Sequence, residues 1–307
     1  MIVIKESPVI VNEISSETNV KSYGIDLIRA KEVWNPSNRG EGIVIAVIDT
    51  GCDVTHPYLK DNIIGGYNFT KDDYGDPSIF EDYRGHGTHV SGIIAAKENG
   101  STIVGVAPKS KLLILKTIDG HGKGSYSNVI KAIEYAMSWK GTNGEKVAII
   151  NMSLGGIVHR EELYLVIKKA RDIGILIVVA AGNEGDGNPE SIEISYPGFY
   201  KEVIQVGAVD RYKKITPYSN TNINLDFVAP GSEITSTFFG GGFAKLTGTS
   251  MAAPFVSGAL ALALNMISSQ MNNKIVSSHL AHFYLIKHAE KLGFSYLEEG
   301  NGLIQLL

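Results

Sequence analysis

One cysteine, Cys52, in 307 residues excludes an intramolecular disulfide, so the fold is held without a covalent cross-link. That usage suits a reducing compartment. Proline is scarce, at 10 residues against 34 glycines, and with 44% hydrophobic residues the composition excludes disordered, collagen-like and coiled-coil chains. Charge is sparse too, at 20% of residues, and 28 Lys+Arg against 32 Asp+Glu leave a net charge of −4. No Lys/Arg cluster interrupts that balance, which argues against a nucleic-acid partner bound through concentrated basic charge. The amino terminus, MIVIKESPVIVNE, lacks the basic start and unbroken apolar run of a secretory signal, because Lys5, Glu6 and Pro8 break it early. The expectation is a cytoplasmic protein. From Leu246 to Asn273 no charge occurs, a length able to cross a bilayer. Thr247, Thr249, Ser250, Pro254, Ser257, Asn265, Ser268, Ser269 and Gln270 punctuate it, so it reads as a buried core helix, and no membrane partner is expected.

What the sequence does contain is alternation. Apolar runs recur at Gly42 to Asp49, Leu112 to Thr117, Val147 to Leu154, Ile175 to Ala181 and Val203 to Val209. They are continuous rather than alternating, as strands covered on both faces should be. Between them lie helical stripes: Val129, Ile130, Ile133 and Met137, then Leu163, Val166, Ile167 and Ala170. The expected fold is α/β, a three-layer sandwich with a mostly parallel central sheet. Residues 1 to about 35 lack periodicity and read as an arm. A chain this long can bury about three quarters of its unfolded surface, enough for one large core. Working loops in such sheets lie beyond the carboxyl ends of the strands, where the polar residues are to be sought.

Three short signals carry chemistry. The first long strand ends in VIDTGCD, which puts Asp49 at its carboxyl end with Gly51 to turn the chain. In GHGTHVSGIIAA, His86 stands between two glycines at the start of a small-residue helix; glycine neighbours let another group approach the imidazole. His86 and His89 are three apart, but no acidic or cysteine partner follows at metal-ligand spacing. In GTSMAAPFVSGALALAL, Ser250 opens the charge-free helix, whose amino-terminal N–H groups suit a nucleophile that generates an oxyanion. Alone, each signal also fits a cap, a core histidine or an ordinary helix start. Together they supply Asp, His and Ser in the chain order known from subtilisin.

Five strings then fall in one order: DTG at Asp49, GHGTHV at His86, NMSLGG at Asn151 to Gly156, AAGNEG at Ala180 to Gly185, and GTSMAAP at Gly248 to Pro254. In them the chain resembles the subtilisin-like serine proteases over nearly its whole length. The resemblance implies that Ser250 attacks the scissile carbonyl, His86 takes and returns its proton, Asp49 holds the imidazole tautomer, and Asn183 donates to the oxyanion. It implies a polypeptide substrate added as a strand between Ser153, Leu154 and Gly155 on one side and the DGHGKGS segment, with Gly122 and Gly124, on the other. Tyr126 and Val129 would wall an apolar subsite, with Glu184 and Ser195 near the primary pocket.

Details resemble the intracellular subtilisins of Bacillus-type bacteria: DTGC, the SWKGTNGEK insertion, GNEGDG and a short leader. That likeness implies an inhibitory leader over residues 1–20, a peptidase domain over 21–307, and a homodimer. The leader departs from the family's apolar-Pro-aromatic motif, reading ESPV around Pro8, and Phe255 stands where the family usually has His. Calcium is implied at KENGSTI through Asn99, weakened because Tyr58 replaces a carboxylate, and at a second site using Gly198, Tyr200 and Val203 carbonyls with Asp226. Among other classes, a nucleotide-binding loop at DGHGKGS fails both phosphate-loop spacings. Within proteases, the alternative is a cytoplasmic leader peptidase trimming one peptide-antibiotic precursor.

Overall fold

The computed structural model describes residues 4–6, 9–15, 22–98, 103–271 and 277–307. Its centre is a seven-stranded sheet built, in spatial order, from β10 (Leu225–Pro230), β9 (Ile204–Val209), β8 (Leu176–Ala180), β6 (Val147–Met152), β3 (Val44–Asp49), β5 (Lys111–Lys116) and β4 (Ile63–Asn68). Every pairing within it is parallel. The five apolar runs are its five inner strands, which explains their continuity. In β3, for example, Ile45 and Val47 face one helical layer while Val44, Ala46 and Ile48 face the other. The first layer holds α3 (His86–Ala95) and α6 (Thr249–Gln270), and the second holds α4 (Tyr126–Ser138) and α5 (Glu161–Asp172).

The helix α6 is the charge-free stretch, and it runs buried along most of its length between the sheet and the peripheral helix α7 (Ser278–His288). Burial by protein on all sides accounts for its composition. A short helix, α8 (Tyr296–Glu299), follows near the carboxyl terminus. The two edge strands escape the apolar-run reading for a physical reason. With one neighbour each, β4 tolerates Gly65 and Gly66, and β10 ends in Pro230.

The amino-terminal arm is shorter than its lack of periodicity suggests. The helices α1 (Gly24–Leu27) and α2 (Ala30–Val33) bury Ile25, Ile28, Ala30, Val33 and Trp34 in the α3/α6 layer. A Cβ at Gly24 would overlap the Phe255 ring, so the residue that departs from the family pattern fills space left by a missing side chain. Before this, β1 (Lys5–Glu6) pairs with β7 (Leu154–Gly155), and β2 (Ile10–Ser15) joins the hairpin of β11 (Ile234–Phe238) and β12 (Gly242–Thr247) as a third antiparallel strand.

Candidate active site

Asp49 ends β3, His86 begins α3, and Ser250 lies in the first turn of α6; they are 1%, 3% and 0% exposed. The imidazole Nδ1 of His86 lies 2.7 Å from Asp49 Oδ1. That oxygen also accepts the Thr50 N–H at 2.7 Å, so the carboxylate is fixed by its own chain neighbour as well as by the imidazole.

The loop before α3 is ordered by Asp82, which is itself buried. Asp82 Oδ1 accepts from Thr50 Oγ1 and from the N–H groups of Arg84 and Gly85, and Oδ2 accepts the N–H and hydroxyl of Thr88. One carboxylate thus caps the helix that carries His86 and ties it to the turn after Asp49. The second histidine has another task. His89 is fully buried, and its Nε2–H is shared by the carbonyls of Ile234 and Ala244, both at 3.0 Å. Burial pushes its pKa down to about 3, so it is neutral and structural.

At Ser250 the helix carries its own break. Pro254 has no N–H to give to the carbonyl four residues earlier, which is that of Ser250. Ser153 Oγ takes that carbonyl instead at 2.9 Å, while Ser250 Oγ lies 3.3 Å from the Ser153 carbonyl. Asn151 and Ser257 continue the buried network beneath. Asn183 Oδ1 accepts the N–H of Thr249 at 2.8 Å and its hydroxyl at 2.9 Å. A backbone N–H can only donate, so the amide oxygen must face Thr249, and Nδ2 is turned the other way, close against Gly248. The arrangement offers an oriented imidazole, a hydroxyl at a helix start and an anchored amide donor, which are the parts of acyl transfer.

Residues 4–6 of this chain lie between the two glycine-containing segments. Lys5 and Glu6 pair antiparallel with Gly155 and Leu154, and Gly124 N–H donates to the Ile4 carbonyl at 3.0 Å. The Ile4 side chain is fully buried in the apolar cluster that includes Ile118, Tyr126, Val129 and Leu154. Val9 then comes up against Gly248, beside Ser250. Pro8 lies outside the described residues, as does Asn99.

Gly122 closes a turn around Asp119 rather than pairing with residues 4–6. Ser195 is buried opposite Gly155, and Glu184 is bonded to Asn220 through both its N–H and its carboxylate. Tyr58 packs edge-on against Phe243 in an apolar cluster with Ala96 and Ile103. Asp226 Oδ2 accepts the Gln205 N–H and Oδ1 lies 3.5 Å from His282 Nε2, while the Tyr200 carbonyl accepts the Val203 N–H. Among the described residues no group of three or more His, Cys, Asp or Glu side chains could hold a metal ion.

Sequence reasoning missed Asp82, Asn220 and Thr249 as supports. Asp82, four residues before His86 at the entry to its helix, carried a capping signal that could have been read.

Comparison with known proteins agrees with this geometry. The subtilase (peptidase S8) family profile matches residues 40–298. An "Intracellular serine protease" of Paenibacillus polymyxa is 48% identical over 290 residues, covering 94% of this chain and 86% of the relative. The "Major intracellular serine protease" of Bacillus subtilis is 44% identical over 304 residues, 99% of this chain and 93% of the relative. "Subtilisin DY" of Bacillus licheniformis is 37% identical over 288 residues, 92% and 96% of the two chains. Such relatives do not favour a dedicated leader peptidase. The chain belongs to the subtilase family and is a serine endopeptidase.

Proposed function

We propose that this endopeptidase cleaves cytoplasmic polypeptides with Ser250, His86 and Asp49 and is restrained by its own amino terminus. The observation that carries the catalytic assignment is the buried 2.7 Å contact between His86 Nδ1 and Asp49 Oδ1. A carboxylate at Nδ1 keeps the proton there and leaves Nε2 as the base for Ser250 Oγ. His86 then returns the proton to the leaving amine, and water repeats the sequence on the acyl-enzyme. The oxyanion is received by Asn183 Nδ2 and the Ser250 N–H, both presented at the start of α6. Replacing Ser250 by Ala abolishes peptide hydrolysis and leaves the fold intact; retained hydrolysis overturns the assignment. General turnover rather than trimming of one precursor requires broad cleavage of unfolded casein.

Restraint is supported by residues 4–6, which occupy the two edges where an extended substrate would pair, and by Val9 at Gly248. Deleting the first 17 residues raises specific activity several-fold. Equal activity of the two forms, with mass confirming an intact leader, refutes the restraint. Calcium belongs to this reading only as a weak structural ion. Tyr58 removes the oxygen donor expected beside KENGSTI, and Asp226 brings a single carboxylate to the carbonyls of Gly198, Tyr200 and Val203. Millimolar calcium then raises Tm modestly, and an unchanged Tm under excess chelator excludes it. A homodimer, carried over from the family likeness, is checked by sedimentation.

A further inference from the structure

Lys116 is a fully buried lysine at the carboxyl end of β5, where it follows the aliphatic stretch Leu112 to Leu115. Burying an ammonium is expensive, and an apolar residue of similar volume usually fills such a place more cheaply. Here every direction of the ammonium is used. Nζ donates to the Thr50 carbonyl at 2.6 Å, lies 3.1 Å from Asp72 Oδ2, and sits 5.2 Å from the centre of the Tyr83 ring. Each partner leads toward the reaction. Thr50 gives its N–H to Asp49 Oδ1 and its hydroxyl to Asp82, and it receives the Gly87 N–H beside His86. Asp72 Oδ2 accepts the Gly120 N–H at 2.8 Å, in the segment that at Gly124 pairs with extended chain. Lys116 is also the direct register partner of Asp49 across the sheet. Adjacent strands lie about 4.8 Å apart, so the backbones of the two residues are neighbours, and the ammonium reaches the peptide carbonyl of Thr50, the residue next to Asp49.

We infer that Lys116 is a positioning residue for this protease: through Thr50 it holds Asp49 and the start of the His86 helix in one geometry, and through Asp72 it ties that geometry to the substrate edge. The inference rests on Asp49 and His86 being the acid–base dyad. Its sign follows from charge. The groups facing Lys116 or the dyad are Asp49 on β3, Asp72 in the turn after β4, Asp82 and Tyr83 before α3, and His89 within α3, while the Arg84 guanidinium lies against Gly122. Among them Lys116 is the buried cation and Asp72 its counter-ion. A nearby cation opposes protonation of His86, and a nearby anion favours it.

The test is the pH profile of kcat/KM for an extended peptide anilide, using the full chain as wild type, Lys116→Met, Lys116→Arg and Asp72→Asn. Rates are normalised to sites titrated by a serine-directed fluorophosphonate. Lys116→Met is expected to lower plateau kcat about tenfold or more and to move the acid limb up by more than about 0.3 pH unit, a factor of two in proton affinity. Lys116→Arg restores most of both. Asp72→Asn moves the acid limb the opposite way and raises KM. Limbs that coincide with wild type, or that move in the same direction in Lys116→Met and Asp72→Asn, overturn the inference and leave Lys116 a merely structural residue. Should Lys116→Met fail to fold, an unmoved limb in Asp72→Asn overturns it alone. Failure of the chain lacking its first 17 residues to react with the fluorophosphonate would instead overturn the assignment of the catalytic residues.

Discussion

If the amino terminus restrains the enzyme as proposed, shortening Ile4 to Ala isolates the side chain that seats it. Ile4 is 0% exposed, so its three terminal carbons are removed from water when the leader is in place. At about 0.8 kcal/mol per buried carbon the truncation costs about 2.4 kcal/mol, and any cavity left in the apolar cluster can only add to that. The Gly124 N–H bond to the Ile4 carbonyl and the pairing of Lys5 and Glu6 with β7 involve backbone only, and they survive the change. At about 1.4 kcal/mol per tenfold, the ratio of docked to released leader falls about fiftyfold.

The measurement uses a Ser250→Ala background, where the leader cannot be cut, and follows binding of a labelled extended peptide that competes for the groove. Ile4→Ala tightens apparent peptide Kd by about fiftyfold, or to the value of the chain lacking its first 17 residues if that limit comes first. Ile4→Val, one carbon shorter, tightens it about fourfold. If the deletion tightens binding but both Ile4 variants match wild type, the side chain is not the anchor and the reasoning fails.

Asn183→Ala lowers kcat by about 10² to 10³ with little change in KM, the loss known for removing the oxyanion amide of a subtilisin, and an unchanged kcat would remove Asn183 from the site. Ser153→Ala leaves the Ser250 carbonyl without its side-chain donor and lowers stability by about 1 to 3 kcal/mol in urea unfolding, with a fall in kcat; a variant as stable as wild type would show the carbonyl satisfied another way. His89, with a folded pKa of about 3 against an ordinary 6.5, binds its proton more readily when unfolded, so its stabilisation is complete above pH 6.5 and is lost as pH falls toward 3. Its share of the loss is roughly 1.4 kcal/mol per pH unit in that window, and a His89→Gln chain with an undiminished acid slope would refute it.

The sheet was legible where physics writes it plainly. Five inner strands must be apolar on both faces, and so their runs are continuous; β4 and β10, at the edges, are not under that demand. The site was legible because its residues stand at strand ends and helix starts inside recognisable strings. Its long-range supports were not, even where, as at Asp82, a local capping signal was present. Asp82 reaches Thr50 across 32 residues of sequence, Ser153 reaches Ser250 across 97, and Asn220 reaches Glu184 across 36, contacts that no local pattern encodes. Lys116 reads in the sequence as one more strand residue in the run from Leu112 to Thr117, since a lysine at a strand end is ordinarily exposed.

The amino-terminal segment, the restraint proposed above, is held at two places that differ in kind. Over the groove it uses backbone pairing and one buried side chain, which is how a substrate of varied sequence would also be held. Beyond Val9 it becomes a third strand on β12, where Ile10, Val11 and Ile14 remain exposed and the side-chain ties are Asn12 to Thr247 and Glu13 to Lys245. An exposed ion pair of that sort adds little, so the ladder of main-chain bonds supplies most of this second attachment. Covalent continuity then keeps residues 4–6 near the groove whenever they detach, at an effective concentration that a free substrate has to exceed. Weakening the strand addition at β12 while leaving Ile4 intact therefore raises basal activity, because the groove segment loses the neighbour that returns it. On the proposed restraint the two attachments are separable, and loosening both frees the groove more than loosening either alone.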